Sequence, residues 1–411
     1  LPVSDTLRLS RIWASERASR LALQRKGNVS AAPSNPSAAA SSLSLQRSVM
    51  FPVVDPRWKC PVISGILPTG DYHGGQFNVI SYSPAPPGRT AGGSRYPGQR
   101  PVRVLITGGA GFIGSHLADA LLESGVEVSV LDNFSSGRPE FLARARAYPG
   151  FRLFRGSIVE REVVDEALGG VECVYHFCAN PDIRAGLQDP GIDFREETLA
   201  TFRLLEAMRA RGCRKMVFAS SSVVYGERPV LPTPEEALGL PISYYGAGKA
   251  AGEAMISAAV CCSGLGAVIF RLANVVGPRP THGVLFDLLA QLRLDPARLR
   301  VLGDGAQEKS YLHVDDCVRG VLALGDPAPG TLEVFNLAGE GTVSVKRIVE
   351  LIAAVTGLNP EVSFGGGRQG WPGDVPRTHL DAARALGRGW KASLDAEAAV
   401  RRAAAELWEA G

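Results

Sequence analysis

An apolar run at residues 102–106 leads directly into Thr107-Gly108-Gly109-Ala110-Gly111-Phe112-Ile113-Gly114, and what surrounds it leaves few folds open. The run suits a buried parallel strand. Residues 115–124 then continue at helical spacing, with Ile113, Leu117, Ala120 and Leu121 on one face, and Gly125 ends them. Residues 126–131 read as a second strand that closes on Asp132. The glycines recur every third position, at 108, 111 and 114. Gly108 permits a tight strand-to-helix turn, Gly111 lets the backbone approach a pyrophosphate, and Gly114 lets helix and strand pack closely. The helix N-terminus offers free N–H groups and the positive end of a dipole to phosphates, and Phe112 and Ile113 of the turn before it are expected beside the cofactor. Asp132 lies 24 residues after Gly108, where an acid accepts hydrogen bonds from a ribose. It repels a 2′-phosphate and is followed by Asn133 rather than Arg, so the expected cofactor is NAD rather than NADP.

The alternation continues. Residues 151–155, 173–177, 215–220 and 267–272 read as strands, with helical patterns near 160–168, 192–211 and 243–260. Such alternation means a parallel sheet covered on both faces. The expected fold class is α/β, a doubly wound parallel sheet (Rossmann) over residues 101–270. A smaller C-terminal α/β substrate-binding lobe follows over 271–411, with the chain crossing back into the first domain. Residues 1–100 differ in kind. They hold 15 Ser, 11 Pro and 9 Gly without a sustained apolar period, a composition expected to be disordered and low in complexity. The chain opens on Leu1 with its first Met at Met50, which leaves a fragment, a processed end or a misassigned start open. The first 49 residues are Arg- and Ser-rich, which also allows organelle targeting; otherwise a cytoplasmic protein is expected.

Charge and cysteines narrow the function classes. The net charge of +3 divides into +8 for residues 1–100 and −5 for the rest, so the fold lacks the basic footprint that nucleic acid requires. Within residues 101–411 the longest uncharged stretch, 17 residues between Glu253 and Arg271, is too short for a membrane span. Seven cysteines without C-x-x-C spacing argue against a disulfide framework or structural zinc, and buried packing is expected for Cys261 and Cys262. No metal site is expected. His313, Asp315 and Asp316 read as a loop entering a helix capped by Asp315, and His282 as either a loop residue or a phosphate contact.

The strand at 215–220 ends in Ser220-Ser221-Ser222-Val223-Val224-Tyr225-Gly226, which sets hydroxyls at the carboxyl end of a strand, where ligands bind in such sheets. Later comes Tyr244-Tyr245-Gly246-Ala247-Gly248-Lys249. Tyr245 and Lys249, at i and i+4 of a helix, share one face. The ammonium is expected to lower the tyrosine pKa, and a phenolate is a useful base toward an alcohol.

In this order GGAGFIG, SSSVVYG and YYGAGK resemble the extended short-chain dehydrogenase/reductase family, and within it the nucleotide-sugar epimerases of the UDP-glucose/UDP-galactose 4-epimerase kind. The resemblance covers about residues 101–411. It implies a substrate-orienting role for Ser221, an acid/base role for Tyr245, and a tyrosine-tuning, ribose-binding role for Lys249. The segment 176–181, with Ala179, resembles the loop under the nicotinamide side, and Ser157 and Ile158 fall at the adenine. Residues 271–279 resemble the substrate stretch with Asn274, 301–305 a base pocket, 309–316 a diphosphate segment, and 371–374 a motif whose acid, Asp374, holds the nucleotide ribose. Ser222, Asn274, Arg279, Lys309 and Asp374 are thus the implied substrate contacts. Lys309 stands where an Arg is usual, Trp371 where another diphosphate Arg is common, so that Arg368 or Arg279 would serve instead. Glu197 stands where Asn is frequent, and Ser157 where Asp is.

The reaction implied is transient oxidation at C4 of a nucleotide-diphosphate sugar, with Tyr245 taking and returning the hydroxyl proton. Ser222-Val223 carries none of the residues that family dehydratases, decarboxylases or reductase-epimerases place after the hydroxyl residue. A one-directional nucleotide-sugar dehydrogenase or reductase and a non-catalytic NAD-binding scaffold are the alternatives. Thr378 falls where the family often gates bulky C2 groups, which would admit an N-acetyl sugar. A homodimer is implied by the resemblance alone.

Overall fold

The computed structural model describes residues 102–228 and 230–411, so the expectations for residues 1–100 lie outside the described residues. One sheet dominates. It is formed by β1 (Arg103–Thr107), β2 (Glu127–Asp132), β3 (Phe151–Arg155), β4 (Cys173–His176), β5 (Lys215–Ser221), β6 (Gly266–Leu272) and β7 (Leu332–Leu337). All pairs are parallel, in the order β7-β6-β5-β4-β1-β2-β3. The order reverses between β1 and β4, and the crevice beyond the carboxyl ends of these strands is where ligands bind in open α/β sheets.

Alternation along the strands builds a core on each face. Val104 and Ile106 of β1 join Val128, Val130, Val217 and Ala219 on one side. Leu105 joins Leu131, Met216 and Phe218 on the other. Side chains with a period of two, apolar at every position, require cover on both faces. The helices supply it. The helix α1 (Phe112–Glu123) buries Leu117, Ala118, Leu121 and Leu122 against the first core. The second core is closed by α2 (Arg161–Ala167) and α3 (Ala200–Arg211), which contribute Val164, Leu204 and Met208. The long α4 (Tyr244–Ser263) adds Ile256 and Val260. Each such aliphatic side chain, fully buried, stabilises by about 1.5–3 kcal/mol.

Local differences from the sequence reading have physical causes. The helix α1 begins at Phe112, not near 115, because Gly111 in an extended conformation is its N-cap. The helical pattern expected across 192–211 is not one α-helix. A short turn, Pro190–Asp193, passes into a π-helical turn, Phe194–Leu199, before α3. Cys261 and Cys262, expected to be buried, lie exposed in the last turns of α4.

The remaining chain forms a separate core. Leu285, Leu288, Leu289 and Leu292 of α5 (Val284–Leu294) pack with Leu299 and Val301, with Ile348, Leu351 and Ile352, and with Val400 and Ala403. Between these segments α6 (Val314–Leu324) packs against α1, and β7 closes the edge of the main sheet. The cap of α6 is His313, whose ring Nδ1 accepts from the Asp315 N–H at 3.2 Å, rather than Asp315. Asp316 is buried and accepts from the Ser393 and Leu394 amides at 3.0 and 3.2 Å. No helix among the described residues is long and apolar enough to cross a membrane.

Candidate active site

One cavity of about 1010 Å³ runs from the glycine turn after β1 to the C-terminal lobe. At its first end Gly108 has φ +71°, and a Cβ there would lie 2.7 Å from the Cys178 backbone. A Cβ on Gly114 would run into the Gly108 carbonyl. Only glycine fits either place. The first helical bond of α1 is Ser115 N–H to Gly111 O, at 3.0 Å, so the Phe112, Ile113 and Gly114 amides ahead of it have no helical acceptor. Asp132 at the end of β2 accepts from Ala110 N–H through Oδ2 at 2.9 Å and from Phe134 N–H through Oδ1 at 2.8 Å. Each carboxylate oxygen keeps acceptor capacity toward the cavity that Asp132 lines. Free amides, a turn packed too tightly for a Cβ and an acid at the second strand fit a dinucleotide with a free 2′-hydroxyl.

The middle of the cavity is lined by Ser221, Tyr245 and Lys249. Ser221 ends β5, and its Oγ accepts from the Val223 amide at 3.4 Å. Ser243 caps α4, its Oγ accepting from Gly246 N–H at 3.1 Å, and this cap fixes where the helix carrying Tyr245 and Lys249 begins. The Lys249 ammonium lies 5.7 Å from the centre of the Tyr245 ring and 5.0 Å from that of Phe218. It is also 2.9 Å from the Glu197 carboxylate, with both side chains almost wholly buried, at 2% and 1% exposure. Burial works against the ammonium, but Glu197 and Tyr245 outweigh it and hold the Lys249 pKa above the ordinary lysine value.

The electrostatics correct one expectation. Tyr245 is not pulled below the usual phenol range. Burial pushes it up to about 12, Lys249 opposes this, and Glu197 and Asp193 reinforce it. Desolvation of a phenolate thus outweighs a single ammonium that already has a carboxylate partner.

Beneath these residues His176 is fully buried. Its Nδ1 meets the Thr107 hydroxyl at 2.8 Å and its Nε2 the Thr201 hydroxyl at 3.1 Å. Thr201 donates its own proton to the Glu197 carbonyl at 2.6 Å, so Nε2 carries the imidazole proton and Nδ1 accepts. Burial first, then the Lys249 charge, push the His176 pKa down from 6.5 to about 3. An unfolded chain takes up this proton first as pH falls. The stabilising contribution is complete above 6.5 and is lost progressively toward about 3. The thermal midpoint is expected to drop across that interval, and to drop less in His176→Gln; equal profiles for the two chains would contradict the assignment.

The C-terminal lobe supplies the far end. Asn274, Lys309, Trp371 and Asp374 line it, with Arg300 from the strand Arg298–Val301. Lys309 pairs with Asp374, whose other oxygen accepts from Gly370 N–H at 3.1 Å. The Gln307 side chain is buried beside Gly303, and neither amide atom has a hydrogen-bond partner among the described residues.

The sequence pattern of the "NAD dependent epimerase/dehydratase family" matches residues 104–346. The chain belongs to this family. It is 35% identical to a UDP-glucose 4-epimerase of Mycolicibacterium smegmatis over 69% of this chain and 91% of that protein. A solved UDP-galactose 4-epimerase is 39% identical, with a TM-score of 0.67, covering 75% of this chain and 99% of the other. The UDP-glucose 4-epimerase of Thermus thermophilus, solved with NAD, is 30% identical with a TM-score of 0.68, covering 75% and 100%. The cofactor of this epimerase/dehydratase is NAD.

Most of the residues singled out in the sequence come together. Gly108, Gly111, Phe112, Ile113, Gly114, Asp132, Asn133, Ile158 and Ala179 all line the cavity. Others do not line it. Ser157 turns aside, its amide donating to Glu160 at 3.2 Å. Ser222 is buried at the start of the turn Ser222–Tyr225, which carries it off the strand end. Arg279 is 2.9 Å from Asp119 of α1, a buried acid that needs a counter-charge. Arg368 pairs with Glu227. Thr378 is buried in a two-residue strand alongside Lys309, which leaves the idea of an N-acetyl gate there without geometric support. Arg300 and Gln307 escaped the sequence reading because each lies just outside a recognised motif, and only the fold brings them to the cavity.

Proposed function

We propose that this chain is a nucleotide-sugar 4-epimerase of the UDP-glucose/UDP-galactose type. The observation that carries the reading is the meeting of Ser221, Tyr245 and Lys249 at the midpoint of one cavity, between the NAD end and a polar lobe. Ser221 orients the sugar 4-hydroxyl. Tyr245 removes its proton and later returns it, while Lys249 supplies the charge that makes the phenolate accessible. NAD held by the glycine turn and Asp132 would supply the hydride acceptor and donor for C4. Binding of the nucleotide by the lobe holds the substrate while the oxidised sugar presents its other face. Arg300 and Lys309 are cations for a diphosphate, and the unpartnered Gln307 amide offers a donor and an acceptor to a base. Val223 after Ser222 supplies no acid for eliminating water. The homodimer is part of the same reading, supported by Phe194 and Phe202, which stand exposed on the segment leading through α3.

The direct test is incubation with UDP-glucose and no added NAD or NADH. UDP-galactose is expected to form without net change in the absorbance of reduced nicotinamide. Accumulation of NADH would favour a one-directional dehydrogenase, and absence of turnover with bound NAD would favour a scaffold.

A further inference from the structure

We infer that Glu197 is a positioning residue that governs the proton affinity of Tyr245 by competing with it for the Lys249 ammonium. The inference builds on the acid/base reading of Tyr245 and Lys249 given above.

The geometry is specific. Glu197 sits in the π-helical turn Phe194–Leu199, a departure from α-helix that is frequent at functional sites. The turn pushes Glu197 toward α4 at the point where Gly248 leaves room. A Cβ on Gly248 would stand 2.6 Å from the Glu197 Cβ. One carboxylate oxygen then meets Lys249 at 2.9 Å, and the other accepts from the Asn180 N–H at 2.8 Å. Asn180 in turn donates through Nδ2 to Asp193 at 2.8 Å. Glu197 therefore ties the acid–base helix to the loop after β4 that lines the NAD end of the cavity.

Among the described residues the other groups facing this cluster are His176, Cys178, Asp193 and Glu196. His176 lies below Lys249 and is neutral, since burial and the nearby ammonium depress its pKa. The Cys178 thiol is pushed up to about 12 by burial and by Glu197. Asp193 acts on Tyr245 in the same direction as Glu197, and Glu196 lines the cavity nearby. Lys249 is thus the cation that both Glu197 and Tyr245 can use. With Glu197 ionised, a Tyr245 phenolate would be a second anion on one buried ammonium. With Glu197 replaced by a neutral amide, the phenolate no longer shares Lys249 with that carboxylate, and a close unlike charge favours the ionised form.

The test compares the parent chain with Glu197→Gln, Glu197→Asn and Glu197→Asp, each alone and combined with Tyr245→Phe. The phenolate ultraviolet band that disappears with Tyr245→Phe belongs to Tyr245. Its midpoint is expected to fall by about one pH unit in E197Q and E197N, and to return toward the parent in E197D. The pH at which kcat reaches half its maximum should move the same way, with KM for the nucleotide sugar changing less than about twofold. The titration requires no sugar and no hydride transfer, so it separates failure of this inference from failure of the epimerase reading. An unmoved Tyr245 midpoint in the neutral variants, or E197D titrating like E197Q, would overturn it. Loss of folding in both neutral variants would also overturn it, by making Glu197 a structural strut.

Discussion

Tyr245→Phe is expected to reduce turnover roughly a thousandfold, within the 10²–10⁴ range that a positioned acid or base contributes. The variant removes one oxygen and leaves the ring in place. No hydrogen bond of the fold is expected to be lost with it, because the Ser243 cap and the Lys249–Glu197 ion pair that define the start of α4 do not involve the phenol oxygen. The melting temperature and the amount of bound NAD should therefore match the parent. KM for the nucleotide sugar should move much less than kcat, since the lobe that would hold the nucleotide is built from Arg300, Gln307, Lys309 and Asp374. Steady-state kinetics with UDP-galactose, together with cofactor content after denaturation, checks both parts. Parent-like turnover in Tyr245→Phe would remove Tyr245 from the reaction and require another group in the cavity to carry the proton.

The two ends of this cavity were unequally legible. The end at the glycine turn follows from local rules. Gly108, Gly114 and Asp132 are set by a turn, a helix–strand contact and a strand terminus within one short stretch, and each requirement can be stated before any tertiary contact is known. The cations of the far end obey no such rule. Arg279 and Lys309 both read as diphosphate ligands, yet Arg279 is 2.9 Å from Asp119 of α1 and off the cavity, whereas Lys309 lines the cavity while paired with Asp374. Whether a cation is available to a ligand depends on which acid the fold brings to it, and neither partner is near in the chain. The same applies at the centre. The i, i+4 spacing put Tyr245 and Lys249 on one helix face, and both line the cavity, but the sign of the tyrosine shift was lost because burial and Glu197 come from a different element. The helical period across 192–211 also hid the π turn, since apolar spacing alone does not register one extra residue in a turn.

Arg271→Met is expected to destabilise the fold by about 3–5 kcal/mol, the range for removing one member of a buried ion pair. In the sequence Arg271 opens the stretch that resembles a substrate site, but its guanidinium serves the fold. It grips Glu253 of α4, with Nε at 3.0 Å from Oε1 and Nη2 at 2.6 Å from Oε2. Its Nη1 donates to the Tyr225 hydroxyl at 2.9 Å and to the Glu235 carbonyl at 2.8 Å. Tyr225 passes its proton to Asn336 of β7 at 2.8 Å, and Asn336 donates to the Thr233 and Asp381 carbonyls at 3.0 and 2.9 Å. Ser220 adds a bond to the same Glu253 carboxylate at 2.5 Å. One guanidinium thus joins β6, α4 and the turn after β5, and through Tyr225 reaches β7. Methionine fills much of the volume but leaves Glu253, only 12% exposed, as an unpaired buried charge. Replacing both partners, Arg271→Met with Glu253→Leu, should recover a large part of the loss, because no isolated charge remains. Denaturant unfolding of the two single variants and the double variant measures this. A single-variant loss below about 1 kcal/mol would place the pair among weak surface bridges. A double variant no more stable than Arg271→Met would show that the hydrogen bonds to Tyr225 and Glu235, rather than the ion pair, carry the stabilisation. In either case α4 is the element at stake, so loosening this anchor should also lower kcat through the Tyr245 and Lys249 it positions.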